Sequence, residues 1–185
     1  MLPSLCAVPN IAPAQWSVNF PPMRNDSTRL SQLRNLAILD TAPEVVFDDL
    51  TRAVAQAFDV PIAMVNLLDA DRDWFKSCLG MPLQESPATT SFCEVFFRTP
   101  DDIIVVEDTT EDARFAGHPL VIGPPLIRFY GAARLTVNKQ TMGTLCVYDT
   151  RVKRVSPEQV EVLRVLSQAA MDCLARRMGS PAPAA

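Results

Sequence analysis

Cys93 stands in the run Ser91-Phe92-Cys93-Glu94, and that spacing predicts a short helix over 91–98, with Ser91 as N-cap and Glu94 answering three residues later. A thiol in a first helical turn faces unpaired backbone amides and the positive end of the helix dipole, and both favour the thiolate. Cys93 is therefore the cysteine best placed to react or to touch a ligand; the competing reading is a small buried hydrophobe. Cys78 and Cys146 fall within predicted strands, where an inward thiol fills core and two neighbouring thiols can oxidise. Cys6 and Cys173 complete a widely spaced set of five with no Cys-x-x-Cys pair.

A single histidine, His118, bounds the remaining chemistry. A three-imidazole zinc site is impossible, and any His-based dyad or triad would have to use that one residue. It precedes Pro119, has no partner identifiable from sequence, and reads as a solvated or capping residue. Arg128 can meet an anionic ligand or the carboxylates Asp108 and Asp112; a structural salt bridge is the plainer alternative. Neither G-x-G-x-x-G nor G-x-x-x-x-G-K-[S/T] occurs, which removes the main support for dinucleotide and P-loop folds. No catalytic residue, metal site or cofactor is assigned.

Seventeen Lys and Arg against twenty-one Asp and Glu give a formal charge of -4, with no long basic stripe, so nucleic acid is not an expected partner. No apolar run reaches the length of a bilayer, so no membrane is expected either. The N-terminus is broken by Pro3, Pro9 and Pro13 and does not read as a secretory signal. Scattered cysteines, odd in number, suit a reducing compartment, and the expected location is cytoplasmic.

These residues need a scaffold, and the chain's punctuation supplies one. Residues 1–26 are Pro-rich and aperiodic and read as a flexible extension, 27–178 as one folded domain, and 179–185 as a disordered tail. Leu30, Leu33, Leu36 and Ala37 predict an amphipathic helix over 28–39. Thr41 to Glu44 resembles a capping box, opening a second helix over 44–58 on the stripe Phe47, Leu50, Val54, Ala57 and Phe58. PIAMVNLLD and DWFKSCLG flank a polar turn and predict an antiparallel hairpin. Ile103–Val106, then IRFYGAARLTV and TMGTLCVYD, add three strands, and Ser156-Pro157-Glu158-Gln159 opens a last amphipathic helix. Trp74 and Phe75 must point to opposite faces of their strand, as must Phe129 and Tyr130. The order predicts an α+β fold: an antiparallel sheet of five or six strands flanked by helices.

LRNLAILDTAPEVVFDDLTRAVAQAFDVPIAMVNLLDADRDWFKSCLG, SFC at 91–93, VVEDTTEDARFAGHPLVIGPPLIRFYGAARL, MGTLCVYD and SPEQVEVLRVLS occur in this order. Together they resemble GAF domains, specifically the bacterial subgroup that precedes diguanylate cyclases and sensor histidine kinases. The resemblance spans about residues 30–175. It implies a PAS-related sheet with a pocket on one face, roofed by short helices and loops, and a role in sensing a small molecule or redox state. About that pocket it places Phe75, Phe92, Cys93, Asp108, Phe115, Arg128, Phe129 and Tyr130, with Phe115 anchoring the side wall. Relatives commonly read Phe-Cys-x-His where this chain has Val95, so any role for a thiol–imidazole pair is put in doubt.

The resemblance implies a non-enzymatic regulatory module that acts through a homodimer of terminal helices, a separate output protein, or both. A separate output protein is expected because no output segment follows the last helix in this sequence. Two alternatives stand beside it: a ligand-free interaction or structural domain whose own aromatics fill the pocket, and a free methionine-(R)-sulfoxide reductase working through cysteines.

Overall fold

The computed structural model describes residues 23–178. Six strands form one sheet: β1 (Ile62–Leu68), β2 (Arg72–Leu79), β3 (Glu85–Pro87), β4 (Ile103–Val106), β5 (Phe129–Val137) and β6 (Gln140–Asp149). Their order is β3-β2-β1-β6-β5-β4, with every neighbouring pair antiparallel. The central strands are the apolar ones because both of their faces are covered: β1 is buried at every position. The β5–β6 hairpin turns at Asn138 and Lys139, both in the left-handed region, as a tight hairpin requires.

Helices α1 (Ser27–Asn35), α2 (Val45–Phe58) and α4 (Pro157–Arg177) cover one face. Their apolar stripes meet Ala63, Val65 and Leu67 of β1, Trp74 of β2, Phe129, Ala133 and Leu135 of β5, and Leu145 and Val147 of β6. Each fully buried Leu or Phe in this layer contributes roughly 2 kcal/mol of transfer free energy. At the far end of α4, Arg177 ion-pairs Glu44 and donates to the carbonyls of Leu36 and Ala37. The last helix is thereby locked to the loop between α1 and α2.

The other face is covered by a 3-10 helix over Phe92–Phe97, here called the roof, by the short α3 (Pro119–Ile122) and by the loops around them. The roof corrects the sequence expectation of a helix over 91–98. Ser91 does not cap it, because its hydroxyl is drawn to Asp73 on the sheet, and Glu94 turns to Arg24. The predicted capping box at Thr41 also does not form. Thr41 donates to the Ile38 carbonyl instead, α2 begins at Val45, and Glu44 is engaged by Lys76 and Arg177. The box predicted at α4 is present, with Ser156 and Gln159 bonded reciprocally.

A bulge explains one departure from strand alternation. Val65 pairs with Ser77 but Asn66 pairs with Phe75, which leaves Lys76 as the extra residue in β2. Lys76 and Ser77 therefore both reach the helix side. Lys76 donates to Thr41, Ala42 and Glu44, and Ser77 donates to Asp48 of α2. Upstream of the bulge, Asp73 and Phe75 stay on the roofed face.

Candidate functional site

Strand alternation sends a mixed polar and aromatic set to the roofed face: Asn66 from β1, Asp73 and Phe75 from β2, Tyr130 from β5, and Thr144, Cys146 and Tyr148 from β6. The roof lowers Cys93 into their centre, where it is 0% exposed. Its sulfur lies 3.1 Å from Thr144 Oγ1 and accepts from Tyr130 Oη at 3.4 Å and Asn66 Nδ2 at 3.6 Å. Tyr148 Oη is 3.8 Å away. The Thr144 hydroxyl also reaches Cys146 Sγ, at 3.7 Å.

Burial opposes ionisation of Cys93, but hydrogen bonds from Cys146, Thr144 and Tyr130 outweigh it and hold its pKa below the ordinary thiol value. Burial and the neighbouring Cys93 push Cys146 the other way. Cys93 is thus the more acidic of two buried thiols. Burial, with these sulfurs close by, raises Tyr130 and Tyr148, so both phenols stay protonated and can donate.

Phe92 fills the space beside this polar centre. Its ring centroid lies 4.1 Å from that of His118, 5.1 Å from Phe115, 5.2 Å from Tyr130 and 5.6 Å from Tyr148. His118 Nδ1 accepts from the Leu120 amide as the N-cap of α3, so the neutral ring carries its proton on Nε2. Burial pulls the imidazole pKa down to about 4. The chain's histidine therefore works as a neutral aromatic wall and cap, buried where the sequence allowed a solvated residue.

Behind the aromatics runs an ionic chain. Asp73 accepts from Asn66 Nδ2 at 3.1 Å, from the Ser91 hydroxyl, and from Arg24 Nη2 at 2.5 Å. Arg24 also pairs with Glu94 of the roof at 3.0 Å, and its carbonyl accepts from Arg29 of α1. Burial raises the Glu94 pKa against the pull of Arg24. Arg29 is itself buried, which lowers its pKa to about 10, and its guanidinium lies over Phe97 of the roof. Arg24 falls inside the stretch 1–26 that the sequence reading treats as an extension, yet it is 0% exposed.

Of the sequence-derived candidates, Phe75, Phe92, Cys93, Phe115 and Tyr130 come together in this one cluster. Phe129 is not among them. It points to the helix side and packs on Phe58, with ring centroids 6.2 Å apart, because alternation separates it from Tyr130. Asp108 accepts from the amide and hydroxyl of Thr110 in a local turn. Arg128 donates to the carbonyls of Val121 and Ile127, fastening α3 to the strand that follows. Asp112 pairs with Arg114. Those three charged residues do not converge on the cluster.

Sequence reasoning missed Asn66, Asp73, Thr144, Tyr148 and Arg24. A signal existed for two of them: Thr144 and Tyr148 flank Cys146 at period two, so one strand face carries all three. For Arg24 the sequence offered none.

Where the resemblance places a pocket, rings and thiols meet one another. Two hollows lie elsewhere. A groove of about 510 Å³ runs between Met23, Arg29, Phe97, Arg134 and Lys139, and one of about 330 Å³ lies on α4 against Val162, Val165 and Leu166. Among the described residues, no group of three or more His, Cys, Asp or Glu is arranged to hold a metal ion, and no helix is long and apolar enough to cross a membrane.

Residues 42–174 match the GAF domain family. Over 131 residues the chain is 34% identical to a cyclic di-GMP phosphodiesterase of Pseudomonas aeruginosa; the match takes in 70% of this chain and 22% of that protein. The chain therefore spans about a fifth of that relative's length. The GAF domain of a phosphoenolpyruvate-protein phosphotransferase from Acinetobacter superposes with a TM-score of 0.62 at 17% identity, covering 85% of this chain and 99% of that one. A type II free methionine-R-sulfoxide reductase from Thermoplasma acidophilum superposes with a TM-score of 0.52 at 11% identity, covering 72% and 92%. At such identities the likeness is one of fold: the same antiparallel sheet with flanking helices.

Proposed function

Because the chain belongs to the GAF domain family, we propose that it is a regulatory module without chemistry of its own, passing changes in the packing of the roofed face to its terminal helices and so to a partner. Arg24 is the observation that supports this reading. One guanidinium pairs with Asp73 on the sheet and Glu94 in the roof, while the same residue's carbonyl accepts from Arg29 of α1. Any lifting of the roof moves Glu94, and with it the residue that α1 holds. At the other end, α4 carries Val162 and Val165 on an exposed stripe, which suits a homodimer through terminal helices or contact with a separate output protein.

The rings and thiols that meet under the roof support a signal carried by the roof's own packing. A second reading keeps a small ligand, and one observation favours it. Asn66 Oδ1 is buried beside Cys93 without a hydrogen-bond partner, an acceptor that a small donor molecule would satisfy on displacing Phe92.

Hydrogen exchange on the full chain tests the coupling. Phe92→Ala loosens the roof, and exchange is expected to rise both in 91–97 and in 27–35, with a shift in the monomer–dimer balance by sedimentation. A rise confined to the roof would sink the coupling. Turnover of free methionine-(R)-sulfoxide with thioredoxin would sink the non-enzymatic part.

A further inference from the structure

The sequence reads Cys78 and Cys146 as core fillers able to oxidise if they are neighbours, and the fold gives Cys146 a different neighbour. Cys78 lies at the margin of the cluster, and its thiol is pushed up to about 11 by burial, which keeps it protonated and unreactive. The single hydroxyl of Thr144 touches both the Cys93 and the Cys146 sulfur, at 3.1 Å and 3.7 Å, so the two thiols meet around one oxygen. One sulfur comes from the roof and the other from the central strand β6. A bond between them would join the two layers whose separation opens this face.

We propose that Cys93 and Cys146 form a redox pair that peroxide converts to a disulfide, fastening the roof to β6. Both residues are 0% exposed, so oxidant reaches them when the roof opens locally. The Cys93 sulfur attacks one peroxide oxygen; the S–O bond forms as the O–O bond breaks, hydroxide leaves, and it takes the thiol proton as water. The Cys146 sulfur then attacks the sulfenic sulfur. The S–S bond forms as the S–O bond breaks, and a second water leaves with the Cys146 proton. Two thiols and one hydrogen peroxide become one disulfide and two waters: the sulfurs together lose two electrons, and the peroxide gains them. Tyr130 and Asn66 already donate to the Cys93 sulfur, which steadies it as the attacking thiolate.

This pairing stands independently of the coupling to α1, since it rests on Cys93, Cys146 and Thr144 alone. The test uses the full chain with Cys6, Cys78 and Cys173 replaced by Ser, so that only the proposed pair remains. Hydrogen peroxide is added under native conditions, and the protein is then alkylated, digested and mapped without reduction. The expected product is a cross-linked peptide pair containing 93 and 146, with a mass loss of about 2 Da per chain, reversed by dithiothreitol. Exchange in 91–97 is expected to slow in the oxidised form. Wild-type protein mapped in parallel guards against a folding defect in the variant, and there the same link is expected. Stable oxygen adducts on Cys93 without the link, or wild-type links that run only through Cys78 or Cys173, would overturn the proposal.

Discussion

Arg24 donates to Asp73 at 2.5 Å across 49 residues of chain, and both side chains are buried. The pair is not isolated. Asp73 also takes Asn66 and Ser91, and Arg24 also holds Glu94, so one cation organises two carboxylates drawn from the sheet and the roof. Removing the cation leaves both carboxylates out of water without it. We expect Arg24→Met to cost about 3–5 kcal/mol in urea denaturation at neutral pH. The triple variant Arg24→Met, Asp73→Asn, Glu94→Gln is expected to regain part of that loss, because no charge is then left buried. A cost under about 1 kcal/mol for the single change would mean the network behaves like a surface ion pair.

Much of this fold was legible because its elements carry their own periodicity. The strand alternation that separated Phe129 from Tyr130 holds, and so do the stripe of α2 and the cap of α4. The roof was misread because Ser91 and Glu94 have better partners in three dimensions than a helix start offers them. Asp73 and Arg24 win those two side chains, and neither is near in sequence. Local spacing carries no record of such competition. The bulge at Lys76 has the same character: a buried lysine in a strand reads as an error until Thr41, Ala42 and Glu44 surround it. Five site candidates converged because aromatic and thiol side chains cluster by burial. The resemblance places Asp108 and Arg128 at the pocket, but local hydroxyls and carbonyls occupy them instead.

Gly143 of β6 pairs with Leu67 of β1, on the edge of β1 away from the bulge, and a Cβ there would lie 2.0 Å from the Asn66 carbonyl oxygen. Backbone cannot yield as a flexible side chain can. Gly143→Ala must therefore separate β1 from β6 at the position beside Thr144, and a loss of at least 1–3 kcal/mol is expected (roughly the range for overpacking). Thermal melting would check it. Gly131→Ala is the comparison: its new Cβ meets side chains rather than backbone, a methyl of Val147 at 2.9 Å and the Phe129 ring at 3.4 Å, and the smaller loss is expected there.

Ser156 and Gln159 make the start of α4 accountable in separable parts. Ser156 Oγ accepts from the Gln159 amide, Gln159 Oε1 accepts from the Ser156 amide, and Gln159 Nε2 reaches across to the Ala57 carbonyl at the end of α2. Ser156→Ala removes one cap bond and is expected to cost about 1 kcal/mol. Gln159→Ala removes the reciprocal bond and the tie to α2, so the larger loss is expected, about 1–3 kcal/mol for two bonds. Chemical denaturation of the two variants at one pH tests the ranking. Equal losses would mean that the contact with Ala57 contributes nothing.

His118 sets a pH dependence whose sign follows from its burial. Its imidazole titrates near 6.5 when unfolded and at about 4 in the fold, where it is 4% exposed and stacked against Phe92. Between those values the unfolded chain binds a proton that the folded chain refuses, so stability rises with pH across the window. The contribution is fully present above about 6.5 and is lost as pH falls toward 4, amounting to about 3 kcal/mol over the whole shift. Carboxylates titrate in the same range, so the informative quantity is a difference between proteins. His118→Phe keeps an aromatic ring against Phe92 but cannot be protonated; it forfeits the cap to Leu120, which lowers stability by a nearly constant amount. His118→Asn keeps a cap acceptor and loses the ring. Both variants are expected to lose less stability than wild type between pH 7 and pH 4, by a common margin of about 3 kcal/mol. Parallel stability curves for all three proteins would show that the imidazole is as easily protonated in the fold as out of it, and that it is not the neutral wall described above.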